Sequence, residues 1–154
     1  MNTRNPQAEA RLLDALGQIR PEELPGFLEA HREELLTEPR PFAAYMRETI
    51  RKKGVLQQNV FLAADLSENY GYKLISEEKH TVNRDTILRL CMAAGFSMPE
   101  TQEALILYGM APLYARFPRD IVFLWAIGHR IRDVHQVNAL MQSCGLSPLT
   151  HERE

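Results

Sequence analysis

The stretch from Val55 to Ile75, VLQQNVFLAADLSENYGYKLI, constrains the rest of the chain more than any other. Gln57 to Ala64 places Val60, Phe61 and Ala64 at helical spacing. Asp65-Leu66-Ser67 breaks that pattern, and Ser67 is a residue type that caps a helix by accepting from a free backbone N–H. A second helix, Glu68 to Ile75, then turns Leu74 and Ile75 inward and shows Asn69, Tyr70, Tyr72 and Lys73 elsewhere. In a tight crossing the fifth residue of the first helix meets the inner face of the second. Those residues are Phe61, which is large, and Gly71, which is small. Glycine inside a helix costs about 1 kcal/mol relative to alanine, and a facing Phe ring supplies a packing reason for it. Two helices joined by so short a turn form the geometry that presents one helix to a DNA major groove. The same bihelical pattern also occurs in helical proteins with other roles.

A chain of 154 residues suffices for one domain with a real core, and its nine prolines and eight glycines are scattered as punctuation. No apolar run approaches the eighteen or so residues of a membrane span, and the start, MNTRNPQAEARLLDAL, lacks the apolar core of a signal peptide. These features lead us to expect a cytoplasmic protein without a membrane partner. Cys91 and Cys144 fall in apolar helical stretches with no metal-ligand spacing, which predicts buried free thiols.

A net charge of −2 argues against a general polyanion binder. The distribution is more informative. Residues 1–40 carry five Arg against eight Asp/Glu, and residues 41–80 six Lys/Arg against five Asp/Glu. The remainder balances seven against seven. The dense basic run Arg51-Lys52-Lys53 precedes the helix pair and suits phosphate neutralisation, although Lys and Arg also suit the negative end of any helix.

Residues 1–38 read as an acidic helical hairpin leaning on the body. The first helix, Pro6 to Ile19, has Ala8, Leu12, Ala15, Leu16 and Ile19 on one stripe. The second opens at Pro21, with Glu22 and Glu23 in its first turn and Leu24, Phe27, Leu28 and Leu35 on one face. His31 falls at the edge of that stripe, and the Thr37-Glu-Pro-Arg-Pro41 segment stops the helix. A third helix, Phe42 to Lys53, turns Phe42, Tyr45, Met46, Thr49 and Ile50 inward and ends at Gly54, to brace the helix pair from behind. A polar loop, Ser76 to Asn83, follows the pair.

Beyond it the sequence is duplicated. RDTILRLCMAAGFSMPETQEALILYGMAPLYAR (84–116) resembles RDIVFLWAIGHRIRDVHQVNALMQSCGLSPLTHER (119–153). The copies are offset by 35 residues at Arg-Asp and by 36 at the closing Gly-x-x-Pro-Leu, so one residue is inserted at the middle turn. Each copy reads as two helices, with Asp85 and Asp120 in first turns. Ser97 and Glu100 form a capping box, Asp133 is a cap, and Gly109 and Gly145 are stops. Leu105, Phe123, Leu124, Trp125 and Leu140 are expected to fill the core between copies.

From Phe42 to Gly95 the chain resembles the lambda-repressor-like family (xenobiotic-response-element and Cro type), in KKGVLQQNVFLAADLS and in ILRLCMAAGFS. It is similar in particular to a mainly Firmicutes-type regulator subgroup, through NYGYKLISEEKHTVNRDTILRLC, ETQEALILYGMAPLYAR and the second Arg-Asp repeat ending at Pro148-Leu149. The resemblance spans roughly residues 24 to 149. It implies an all-α fold: a lambda-repressor-like helix-turn-helix bundle at 41–95, an N-terminal helical hairpin at 1–40 packed on the body, two repeated hairpins at 84–149 sharing the core, and a disordered tail at 150–154.

The resemblance also implies a DNA-binding regulator. Gln57 and Gln58 would meet backbone phosphate and the helix after Ser67 would enter the major groove. Asn69 suits an adenine edge, Lys73 guanine or phosphate, and Tyr70 a thymine methyl or phosphate. The candidate DNA contacts are therefore Lys53, Gln57, Gln58, Ser67, Asn69, Tyr70, Lys73 and Lys79. Against these, Gln57 can serve as a plain cap, and Tyr70 or Tyr72 as half-buried core. Asp65 stands where a turn glycine is usual, which Asp tolerates. Glu68, Glu77 and Glu78 flank the reading helix and would repel phosphate. They motivate an alternative, a helix-turn-helix-shaped module that docks on a protein.

No cofactor is expected. His129 and His135 have no partners at metal spacing, Cys91 lies among apolar residues, and no glycine-rich phosphate loop is present. The chain reads as non-enzymatic. Its expected partners are double-stranded DNA, a second copy in a symmetric dimer, and a protein in the alternative reading.

Overall fold

The computed structural model describes residues 6–36 and 41–150, and every regular element among them is helical. None of the helices is long and apolar enough to cross a membrane. The chain divides into two compact units, residues 1–40 and residues 41–154.

In the first unit, α1 (Pro6–Leu16) ends three residues earlier than its periodicity predicts, because Gly17 begins a turn there. A 3-10 turn (Pro21–Glu23) leads into α2 (Leu24–Ala30), and a second such turn spans Arg32–Glu34. His31 is half-buried, its ring 4.3 Å from that of Phe27. The expected helix stop after Leu36 falls mostly on residues 37–40, outside those described.

The second unit begins with α3 (Phe42–Lys52), whose Phe42, Tyr45, Met46, Thr49 and Ile50 are all buried. Gly54 ends it with a φ of 71°. Helices α4 (Gln57–Ala63) and α5 (Glu68–Ile75) follow, joined by a turn that reverses the chain in a few residues. Asp65 takes a φ of 59°. The Asp65 and Leu66 N–H groups donate back to Leu62 O (3.1 Å) and Phe61 O (2.9 Å), so the last carbonyls of α4 are satisfied. Ser67 Oγ accepts from Tyr70 N (3.2 Å) and starts α5. Phe61 is fully buried against Gly71. A Cβ on Gly71 would lie within 2.7 Å of Phe61 Cε1, so no larger residue fits this crossing.

Helix α6 (Arg84–Ala93) is the centre of the unit. Asn83 caps it by accepting from Asp85 N (3.0 Å), and every residue from Thr86 to Ala93 is buried. Its neighbours are α4 on one side, then α7 (Met98–Leu107) and α9 (Val134–Ser143). Helix α8 (Pro118–Gly128) packs on α7 and α9. The expected capping box of Ser97 and Glu100 and the Asp133 cap are both present. Gly109 and Gly145 close α7 and α9 with φ of 83° and 70°.

The duplication is visible as geometry. Arg84 pairs with Asp120 and Arg119 with Asp85, each at 2.6 Å, so the two Arg-Asp starts exchange partners. Asp120 also accepts from Tyr114 N (2.9 Å), and Asp85 from Thr150 N (3.1 Å). The end of each copy is thereby tied to the beginning of the other. Gln102 accepts from Leu113 N and Asn138 from Leu149 N, both at 2.7 Å, at matching places. With α7 against α8 and α9 against α6, the hairpins are related by a local two-fold axis. The equivalent turn residues Gly95 and Arg130 both have positive φ, 74° and 58°, which makes Arg132 the inserted residue. Its guanidinium lies over Gly95.

Several expectations are corrected. Phe123 and Leu105 are buried and Leu124 and Leu140 partly so, but Trp125 is 48 % exposed. Cys91 is buried whereas Cys144 is exposed, because Cys144 follows the last turn of α9 on its outer side. Thr150 is held by Asp85 instead of starting a free tail, and residues 151–154 are outside those described.

Candidate functional site

Helix α5 decides which side chains reach the surface. Tyr70 and Gly71 lie one turn before Leu74 and Ile75 and share their buried face. Asn69, Tyr72, Lys73 and Ser76 fall on the opposite face and stay at least partly exposed. With Arg47 from α3, Gln57 from the start of α4, and Glu78, they line a groove of about 310 Å³. Tyr72 stands edge-on to Phe61, ring centroids 4.8 Å apart, so its ring is held by the same contact that sets the α4–α5 crossing. The groove contains two cations, Arg47 and Lys73, against one carboxylate, Glu78.

Of the residues singled out in the sequence, the groove gathers Gln57, Asn69 and Lys73. Gln58 points to the other side of α4, into a separate groove of about 380 Å³ with Asn59, Leu62, Leu66 and Glu68. Ser67 is the cap of α5. Lys79 is exposed beyond the end of α5, its N–H donating to Lys73 O (3.0 Å). Two candidates are corrected. Tyr70 is buried, 8 % exposed, because it lies four residues before Leu74 on the inward face. Lys53 is turned away from the groove, with its Nζ 2.5 Å from Glu100 Oε1 at the start of α7.

Glu100 is the anchor at that second place. Burial works against its ionisation and is outweighed by hydrogen bonds from Lys53 and from the N–H and hydroxyl of Ser97, so its carboxyl is held below the usual range. The Tyr45 hydroxyl donates to Glu100 O (3.2 Å), and burial, then the Glu100 charge, pushes that phenol up. The same two causes in the same order raise the Cys91 thiol, which removes its thiolate at neutral pH. Among the described residues no three of His, Cys, Asp and Glu come together to hold a metal.

Three residues at the site are missing from the candidate contacts read from the sequence. Arg47 lies one turn before Arg51 on the exposed side of α3, and only the packing of α3 against α5 brings it to the groove. Tyr72 rather than Tyr70 is the surface aromatic, which the four-residue offset from Leu74 and Ile75 would have revealed. Arg89 sits in the apolar run Ile87–Ala93 of α6 and is 1 % exposed. It donates from Nε to Ala64 O (2.9 Å), from Nη2 to Asp65 O (2.9 Å) and from Nη1 to Thr150 O (3.2 Å). A buried guanidinium thus clamps the turn between α4 and α5.

The groove is therefore a polar, mildly cationic surface carried by two short helices whose crossing and turn are fixed from beneath. Compared with models of known protein families, with curated proteins and with solved structures, the chain matches none of them.

Proposed function

We propose that this chain is a sequence-specific regulator that binds double-stranded DNA, with α4 and α5 acting as a lambda-repressor-like helix-turn-helix. The observation that carries this reading is the convergence of Arg47, Gln57, Asn69, Tyr72 and Lys73 on one exposed groove. Helix α5 enters the major groove by its Asn69–Tyr72–Lys73 face. The Asn69 amide pairs with the N6 and N7 edge of adenine, Lys73 donates to guanine O6 or N7, and the Tyr72 ring packs on a thymine methyl. Arg47 and the N-terminus of α4 with Gln57 take backbone phosphates and set the register. The Phe61–Gly71 contact and the Arg89 clamp support the reading, since side chains on a rigid pair of helices keep their spacing on binding.

Selection of duplexes from a random pool, followed by fluorescence polarisation, tests the proposal. Asn69→Ala and Lys73→Ala each lower affinity for the selected site by about 5- to 150-fold, corresponding to 1–3 kcal/mol per lost base contact. Arg47→Ala weakens all sequences alike and reduces the salt dependence by about one counterion. Failure to enrich any duplex at low salt would overturn it.

A second reading rests on the groove with Gln58 and Glu68. Leu62 there is 80 % exposed and no cation lines the groove, as suits an apolar partner helix. A stable complex lost in Leu62→Lys but kept in Lys73→Ala would favour this role over DNA.

A further inference from the structure

The middle turns of the two hairpins open on one cavity, and both close in the same way. In copy one the Gly95 N–H donates to Met92 O (3.0 Å) and the Phe96 N–H to Cys91 O (3.0 Å). In copy two the Arg130 N–H donates to Ile127 O (3.1 Å) and the Ile131 N–H to Ala126 O (2.9 Å). This closure puts one residue of each turn in the left-handed region, where glycine is at ease and a side chain is strained. Copy one has Gly95 there; copy two has Arg130. The residue inserted in copy two, Arg132, is a second cation, and its Nε, Cζ and Nη2 cover the space where Gly95 would carry a Cβ. Among the described residues neither guanidinium has a hydrogen bond or an ion pair. The second turn thus holds two arginines, on a strained backbone and a longer loop, that the fold itself does not pair.

Both arginines line a cavity of about 440 Å³ together with Lys53 from the end of α3, and none of its lining residues is acidic. Glu100, in the first turn of α7, meets Lys53 and accepts from the Ser97 N–H (2.8 Å). Three cations, Lys53, Arg130 and Arg132, therefore stand against one carboxylate that is already engaged, a surplus of two. Met92, Phe96 and Ile127, which are buried, and Met98 and Ile131, which are half-buried, give the cavity apolar walls. We propose that this cavity binds a phosphorylated small molecule, a phosphate monoester carried on an apolar ring or chain. Such a phosphate bears about −1.5 to −2 charges at neutral pH, which matches the surplus, whereas a carboxylate would leave one cation unmatched. Arg130 and Arg132 present planar forks suited to paired hydrogen bonds with phosphate oxygens. A bare phosphate would leave the apolar walls wet, and the volume falls within the roughly 300–1,000 Å³ of small-molecule sites. The cavity shares no lining residue with the groove of α5. The inference therefore goes beyond the proposed role and is measured without DNA.

Isothermal titration calorimetry of the full chain at low salt tests the assignment, with naphthyl phosphate as the probe and naphthol, naphthoate and inorganic phosphate as controls. One equivalent of naphthyl phosphate is expected to bind, and each control to bind at least about tenfold more weakly. Arg132→Gln should weaken the probe by about tenfold or more, with unchanged helical circular dichroism. Arg130→Gly is the sharper variant, because it relieves the backbone. It should raise the urea midpoint and still weaken the probe by a similar factor, a combination that a purely structural residue would not give. Absence of saturable binding at millimolar probe overturns the proposal. So does naphthol binding as tightly as naphthyl phosphate, which would make the cavity a plain apolar site, or naphthoate doing so, which would make its anion a carboxylate. Probe binding that both variants leave intact overturns it too, and a fall in their affinity for duplex DNA instead would give the arginines to the nucleic-acid backbone.

Discussion

Helices α6 and α8 begin with the same Arg-Asp pair and carry matching apolar positions, yet α6 is buried on all sides while α8 keeps one side open. The difference lies in what each supports. Helix α6 backs the α4–α5 pair and spends Arg89 on its turn; α8 has leucine there and, among the described residues of this unit, no helix pair to back. After Arg-Asp every aligned residue differs, but the inward pairs Ile87/Val122, Leu88/Phe123, Cys91/Ala126 and Met92/Ile127 stay apolar and buried, whereas the outward pairs change in character and exposure. The exchanged Arg-Asp pairs stayed alike because each copy completes the other.

The sharpest way to break this comparison is at positions 89 and 124. Arg89→Met leaves three carbonyls without their donor and should cost about 3–5 kcal/mol, read as a lowered urea midpoint. Leu124→Met, at the equivalent place, should cost less than about 1 kcal/mol. Equal losses would mean that Arg89 does not act as a clamp. A smaller effect of opposite signs is expected at the middle turns. Gly95→Ala should destabilise by about 1–2 kcal/mol because its positive φ disfavours a side chain, and Arg130→Gly should stabilise by about 1 kcal/mol for the same reason.

The smallest effect is in acid. Glu100 caps α7 of copy one, whereas Gln136 holds the corresponding place in copy two and does not titrate. The folded carboxyl is held below its unfolded value, so its stabilisation is fully present above about pH 4.3 and fades as pH falls through the folded value. Glu100→Gln should therefore lower the urea midpoint at pH 7, and the gap to wild type should close toward pH 3. A gap that persists in acid would assign the cap to geometry alone.

Much of the frame was legible in the sequence. Phe61 and Gly71 matched in size, Asp65 stood at the turn where a left-handed residue was required, and the repeat announced two hairpins. Periodicity reports which residues share a face, and that sufficed for α3, whose five expected inward residues are all buried. It failed where a long side chain bends or pairs away from its face. Lys53 reads as a surface cation until Glu100, distant in sequence, comes within 2.5 Å. Arg89 reads as polar, and its burial depends on carbonyls from three other places. Arg-Asp read as a repeat signature and a helix-dipole preference; the exchange of partners requires knowing that the copies face each other. Trp125 follows the apolar rule for a core position, yet among the described residues of the second unit no helix closes over it as α4 closes over α6.

The Arg89 clamp also imposes an order on biosynthesis. Its third acceptor is the carbonyl of Thr150, and the N–H of the same residue closes on Asp85. The α4–α5 turn leaves the ribosome well before Thr150 does, so a nascent chain carries that turn without its last brace. A chain cut after Leu149 would keep every described helix, yet the guanidinium beneath the turn would lose one of its three carbonyl acceptors.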